Sequence, residues 1–200
     1  MAAGRHVTVI TGRCAEARLY LYYVLAVLRP GVRVPTFGEP EEFNGSLAAF
    51  TTDEDLKILI EEGRRTLDRQ ETDLERIRSR ATTLLTIGLA EIAVLSALAT
   101  RAFQHGPLVS ILWCTSGVTV ILGIGGAASV LTSQARMGWV DPRQIASGTL
   151  PLAPATAYEY LQSLGEGEET VRTRLTVLRD AVLLETLTAL LLAVAWPFTL

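Results

Sequence analysis

One stretch constrains this chain more than any other. Residues 51–80 carry sixteen charges and residues 81–100 carry one, yet no proline interrupts the fifty. The glycines within it, Gly63 and Gly88, are isolated, and a helix tolerates a single interior glycine at about 1 kcal/mol. Thr51-Thr52-Asp53-Glu54-Asp55 has the chemistry of a helix start. Thr51 with Glu54 three residues on matches a capping box, and acids sit at the positive end of the helix dipole. The pattern predicts one long helix that leaves water at Arg80 and enters a bilayer at Ala81. At about 1.5 Å per residue, residues 81–100 reach about 30 Å, the thickness of a hydrocarbon core.

Apolar residues collect in two further blocks. Residues 108–131 form a second predicted span, separated from the first by the short turn Arg101–Pro107. Residues 181–200 form a third. The expected fold is an all-α membrane protein with three transmembrane helices, two of which continue from cytoplasmic helical extensions. Its parts are an N-terminal segment (1–50), a cytoplasmic helix with a membrane hairpin (51–131), and a cytoplasmic loop and helix feeding the last span (132–200). The net charge of −3 gives no overall basic excess that would point to nucleic acid.

The N-terminal segment is the least legible. His6–Ile10 reads as a short strand. Arg13–Leu28 has helical character, with Leu19, Tyr22, Tyr23 and Ala26 at helical spacing, and Arg29-Pro30-Gly31 ends it. Its apolar run Leu19–Leu28 covers about half of a bilayer, so a cytoplasmic or interfacial helix is expected, with a fourth membrane-associated helix as the alternative. The same run comes too late, after Arg13, Glu16 and Arg18, to read as a signal peptide. Residues 35–46 read as a linker. Asn44-Gly45-Ser46 matches a glycosylation sequon that a cytoplasmic position would leave unused.

In the first extension Ile60, Leu67, Leu74 and Ala81 recur every seven residues, with Ile77 beside them, while Gly63 and Gln70 weaken the heptad. Two readings stay open: a stripe for a partner helix, or a solvated helix held by its own ion pairs such as Glu61/Arg65 and Asp73/Arg76. The second extension covers about 155–179, with Gly165 and Gly167 as candidate break points. Met137-Gly138-Trp139 has interfacial character. In the second span Gly117, Gly123, Ala127 and Ser129 are expected at helix contacts, because small residues let backbones approach in lipid.

Arginine sets the orientation. Arg76, Arg78 and Arg80 precede span one, Arg136 and Arg143 follow span two, and Arg172, Arg174 and Arg179 precede span three. By the positive-inside rule the N-terminus and residues 132–179 are cytoplasmic.

Cys14 and Cys114 are too far apart in sequence, and too few, for a disulfide framework or a zinc site, so no metal or cofactor is expected. No HExxH, Walker or GxSxG motif is present, and Gly123-Ile124-Gly125-Gly126 lies inside an apolar span rather than between a strand and a helix. Catalytic residues are therefore not assigned. Glu91, mid-span, and Glu185, about one turn into span three, are the informative acids. Each is either a pore-lining or oligomer-contact carboxylate or a protonated group bonding a neighbouring helix. Arg64, Arg65, Arg69, Arg172 and Arg174 could receive a phosphate bidentately, or serve as surface salt bridges. Arg76, Arg78 and Arg80 suit topology or anionic lipid.

The approach Ser79-Arg80-Ala81-Thr82-Thr83-Leu84-Leu85-Thr86-Ile87-Gly88, together with the segment Tyr158–Arg179 containing Tyr160-Leu161 and Val177-Leu178-Arg179, resembles the transmembrane effectors of bacterial Pycsar anti-phage systems over residues 51–200. Where that family often carries an acid and a lysine at the first approach, this chain has Arg78 and Arg80. The resemblance implies an inner-membrane effector. A cyclic pyrimidine nucleotide would trigger it, and oligomerised spans would impair the bilayer. The alternative expectation is a membrane-anchored scaffold that recruits a soluble partner through the helix 51–80.

Overall fold

The computed structural model describes residues 13–29, 34–36, 38, 52–134, 140, 143, 145 and 151–198. Four α-helices account for most of them: α1 (Arg13–Ala26), α2 (Asp53–Gln104), α3 (Pro107–Thr132) and α4 (Leu152–Ala195). A 3-10 turn, Trp196–Phe198, closes α4, since Pro197 cannot continue an α-helix. Among the described residues there is no strand. The expected strand His6–Ile10, the sequon, the interfacial Met137–Trp139 and Thr51 lie outside the described residues, as does most of the linker.

The 52 residues of α2 form one helix. Thr52 makes its cap: the hydroxyl accepts the Asp55 N–H at 3.2 Å and donates to the Asp55 carboxylate at 2.5 Å. The hydroxyl cap is the first half of a capping box, one residue later than the Thr51/Glu54 spacing suggests, with the Asp55 carboxylate bonded to the Thr52 hydroxyl and Asp53, Glu54 and Asp55 all in the first turn. After α2, Gly106 turns the chain at φ 101° and ψ 174°, a region open in practice to glycine alone, and Pro107 starts α3 with a preset φ.

α4 is also continuous, through both glycines that the sequence offers as break points. Gly167 serves close approach instead, because a Cβ there would fall on the Gln70 side-chain amide.

Three helices, α2, α3 and α4 with its closing turn, are long and apolar enough to cross a membrane. Of their most apolar windows only 28%, 28% and 22% is buried in the protein, so most of that apolar surface faces outward. Leu89, Ile111, Ile121, Leu183 and Leu190 are each at least 60% exposed. Water would not tolerate such continuous apolar surface, and lipid suits it.

The chain divides into two compact units. In the first, α2 up to Arg76 packs with α4 up to Thr173. Gly63 lets Tyr160 approach so closely that a Cβ would lie 3.0 Å from the tyrosine Cβ. One heptad later the Gln70 amide donates to the Leu164 carbonyl at 3.1 Å. The two residues that weaken the heptad are thus contact points, and the partner helix of this stripe is α4 of the same chain. Gly38 joins them, its N–H donating to the Glu169 carboxylate at 2.6 Å.

The second unit comprises α1, α2 from Ile77, α3, and α4 from Arg174. α1 packs on α3, burying Ala15, Leu19, Tyr20 and Tyr23. The face expected from sequence is rotated: Tyr22 is 47% exposed, and Tyr20 takes its place. The Tyr20 hydroxyl donates to the Leu122 carbonyl at 2.9 Å, Gly126 making room for its ring, while Val24 lies against Gly125. At the other end of the unit, the Trp113 indole donates to the Leu95 carbonyl at 2.9 Å and meets Phe103 edge-on, which pins α2 to α3.

Candidate functional site

The second unit holds a polar seam among its apolar side chains. On α3, Ser116, Thr119 and Gly123 follow one another at helical spacing, and on α4 Glu185 and Thr188 do the same. Thr119 and Thr188 share a hydrogen bond of 2.8 Å, and both hydroxyls also bond carbonyls of their own helices. One turn away along the seam, Glu185 is 3% exposed.

Backbone brings the Glu185 carboxyl its space. A Cβ on Gly88 of α2 or on Gly123 of α3 would lie 2.7 Å from Glu185 Oε1, so both helices present a glycine where the carboxyl sits. Glu91, one turn past Gly88 on the same helix, brings its own carboxyl within hydrogen-bonding reach of Glu185. Both Glu185 oxygens and Glu91 Oε2 are shut from solvent and have no donor group on the protein among the described residues. Sequence counting puts Glu185 one turn into its span, within reach of the interface. In the structure it sits level with Gly88, seven residues past Ala81 on α2, which is about 10 Å of helix rise.

Arg174 is 2% exposed and caps α3. Its guanidinium donates to the Val130 carbonyl at 3.3 Å, the Ser133 carbonyl at 2.6 Å and the Ser133 hydroxyl at 3.2 Å. These lie at the helix C-terminus, where carbonyls lack intrahelical partners and a cation complements the dipole. Burial pulls the guanidinium below the ordinary arginine value. Tyr23 pulls it back up and Arg78 adds a lowering push.

The other candidate phosphate ligands lie in the first unit. Arg64, Arg65 and Arg69 share an exposed face of α2 with Glu61 and Glu62, at 3.7 Å for Arg64–Glu61, 3.3 Å for Arg65–Glu61 and 3.9 Å for Arg69–Glu62. Exposed pairs at these distances hold their side chains loosely, at about 0–1 kcal/mol each, so an incoming anion can compete for them. Arg172 is exposed on α4. Arg174 is set apart from this group by its burial in the second unit.

Three of the four expected packing residues of α3 are used within the chain. Gly123 meets Glu185, Ala127 is fully buried, and Ser129, 1% exposed, bonds the Gly126 carbonyl at 2.6 Å. Gly117 has nothing within 4 Å of a Cβ position and faces open space. Sequence reasoning took Gly88 only as a tolerated interior glycine and did not single out Tyr20 or the Thr119–Thr188 pair. Only their positions on facing helices distinguish them, and those depend on register between helices far apart in the chain. Among the described residues no three His, Cys, Asp or Glu side chains are grouped to hold a metal ion, and Cys114 is an exposed free thiol.

No protein-family model, curated protein or solved structure matches this chain. The fold and the site by themselves define a class. It is an all-helical chain with three helices fit to cross a membrane, two of them prolonged by charged segments that pair with each other. Within the second unit, among its apolar side chains, lie two facing carboxyls.

Proposed function

We propose that the chain is a multi-pass effector of the bacterial inner membrane, with its N-terminus and both charged extensions in the cytoplasm. A cytoplasmic cyclic nucleotide binds the extensions, and the spans of an oligomer then impair the membrane in anti-phage defence. The observation that carries this reading is the continuity of α2 and α4. Each runs without a break from a charged segment paired with the other helix into an apolar segment that contributes one of the two facing carboxyls. A ligand that binds two arrangements of the extensions with different affinity shifts the chain between them. The nucleotide and the defence role come from the resemblance to Pycsar effectors. The exposed face of Arg64, Arg65 and Arg69, with Arg172 on α4, supplies the guanidinium groups such an anion would use.

No step of this reading needs catalysis or a cofactor. A scaffold that recruits a soluble partner through residues 51–80 would have to share the apolar stripe with Tyr160 and Leu164 of α4, so the paired-helix geometry favours the effector. Controlled expression with a membrane-impermeant dye, with and without cyclic nucleotides, tests it. Dye entry that depends on one nucleotide supports the proposal. Intact membranes under every nucleotide, with the protein present in the membrane fraction, refute it.

A further inference from the structure

We infer that Glu91 and Glu185 form a one-proton binding site that latches α2 to α4 within the apolar unit. The inference does not depend on the effector reading.

Glu185 is 3% exposed, and among the described residues neither of its oxygens has a donor, nor does Glu91 Oε2. The carboxyls lie within hydrogen-bonding reach of each other, which two carboxylates cannot exploit because both are acceptors. One proton converts the pair into donor and acceptor and satisfies two of the three orphaned oxygens. It also removes one of two like charges from a region of low dielectric, where facing carboxylates are most costly. The proton belongs to the pair rather than to either residue.

Among the described residues the surroundings offer no other neutralisation. From α1 the titratable neighbour is Tyr20, whose hydroxyl is committed to the Leu122 carbonyl. From α2 it is Glu91 itself. α3 carries no charged residue, and its titratable group, Cys114, is exposed. On α4 the charge that acts on Tyr20 beside Glu185 is Asp180, an acid paired with Arg179. A metal cation would demand several oxygen ligands, whereas Gly88 and Gly123 line the carboxyl with bare backbone. A proton needs only the two oxygens between which it sits. The glycine cradle fixes Glu185 there, so the site is built into three helices.

Emptying the site would place two facing negative charges between α2 and α4 and weaken their contact.

The test uses the full chain in detergent or vesicles. Dicyclohexylcarbodiimide modifies protonated carboxyls in apolar surroundings, and peptide mass spectrometry locates the adduct. At neutral pH the adduct is expected on Glu91 or Glu185, not on the exposed Glu61 and Glu62. Its yield should fall about tenfold or more as pH is raised from about 5 to about 9, with no effect of sodium ions at fixed pH. The double variant Glu91→Gln/Glu185→Gln keeps the shape of the pair without titrating. Thermal unfolding of this variant should lose the part of the pH dependence that the wild type shows over the same range. Three results would each overturn the inference: no adduct on either residue at any pH in a chain that keeps its helical circular dichroism, suppression of labelling by sodium, which would mark a metal-cation site, or an unchanged pH dependence of unfolding in the double variant.

Discussion

The Arg174 guanidinium closes the end of α3 by donating to the Ser133 carbonyl at 2.6 Å, across 41 residues of sequence. A buried cation of this kind ties two helices together through the backbone of one of them. Removing it leaves carbonyls near Val130 and Ser133 without their donor, at a cost of about 2–4 kcal/mol. Arg174→Ala should therefore lower the thermal midpoint in detergent by several degrees. Arg174→Lys should recover part of the loss, since one ammonium cannot reproduce a fork that bonds Val130 and Ser133 together.

Gly106 provides a purely conformational test. Its φ of 101° is the sole positive value among the described residues, and nothing lies within 4 Å of a Cβ position. Gly106→Ala should cost about 1–3 kcal/mol through backbone strain alone, with no steric contribution. Unfolding measured by circular dichroism should register the loss, while quenching of the Trp113 fluorescence should show its packing on Leu95 and Phe103 kept.

Tyr20 and Gly126 act as one contact. A Cβ on Gly126 would fall on the tyrosine hydroxyl and 2.7 Å from its Cζ, displacing it from the Leu122 carbonyl. Tyr20→Phe alone should cost about 1 kcal/mol, and Gly126→Ala somewhat more. Added together the two should cost clearly less than their sum, because the hydrogen bond can be lost once only. Limited proteolysis between α1 and α2 would follow the release of α1.

These contacts also mark where the sequence was informative. The charge step at Arg80/Ala81 and the absence of prolines disclose α2 almost to its ends, because a helix in lipid must satisfy every backbone group within itself. Likewise the apolar runs disclose α3 and the second half of α4. Gly165 and Gly167 misled in the local reading, since glycine serves both breaks and close approach, and only Gln70 opposite Gly167 tells which. Glu91 and Glu185 were each legible as costly intramembrane acids. Their pairing was not, because it depends on the register of α2 against α4, about 95 residues apart in the chain, and no local pattern encodes that.

In the first unit, Gly63 is where α2 meets Tyr160 of α4. Leucine at Gly63 would intrude on Tyr160, which already leaves only 3.0 Å to a Cβ. Gly63→Leu should weaken the pairing by about 1–3 kcal/mol and speed amide exchange in residues 53–76 and 152–173. Exchange in 81–100 should be unchanged, since lipid and the contacts of the second unit protect it.

Orientation is open to direct chemistry. Single cysteines at Thr72 and at His105, in a Cys14→Ser/Cys114→Ser background, should react with a membrane-impermeant maleimide from opposite sides of the membrane. Thr72→Cys should be labelled only in inverted vesicles, and His105→Cys only in intact spheroplasts. Labelling of both from one side would refute three crossings in the proposed sense.

The most direct test of the proposed function is efflux from sealed vesicles of anionic lipid containing the purified full chain, with nucleotide supplied on the side of the charged extensions. Coupling of ordinary strength predicts that cyclic CMP or cyclic UMP raises dye release by about tenfold over the unliganded protein, and that Gly63→Leu abolishes the response. Dye release that is the same with and without every cyclic nucleotide, from vesicles shown to hold folded protein in the correct orientation, would contradict it.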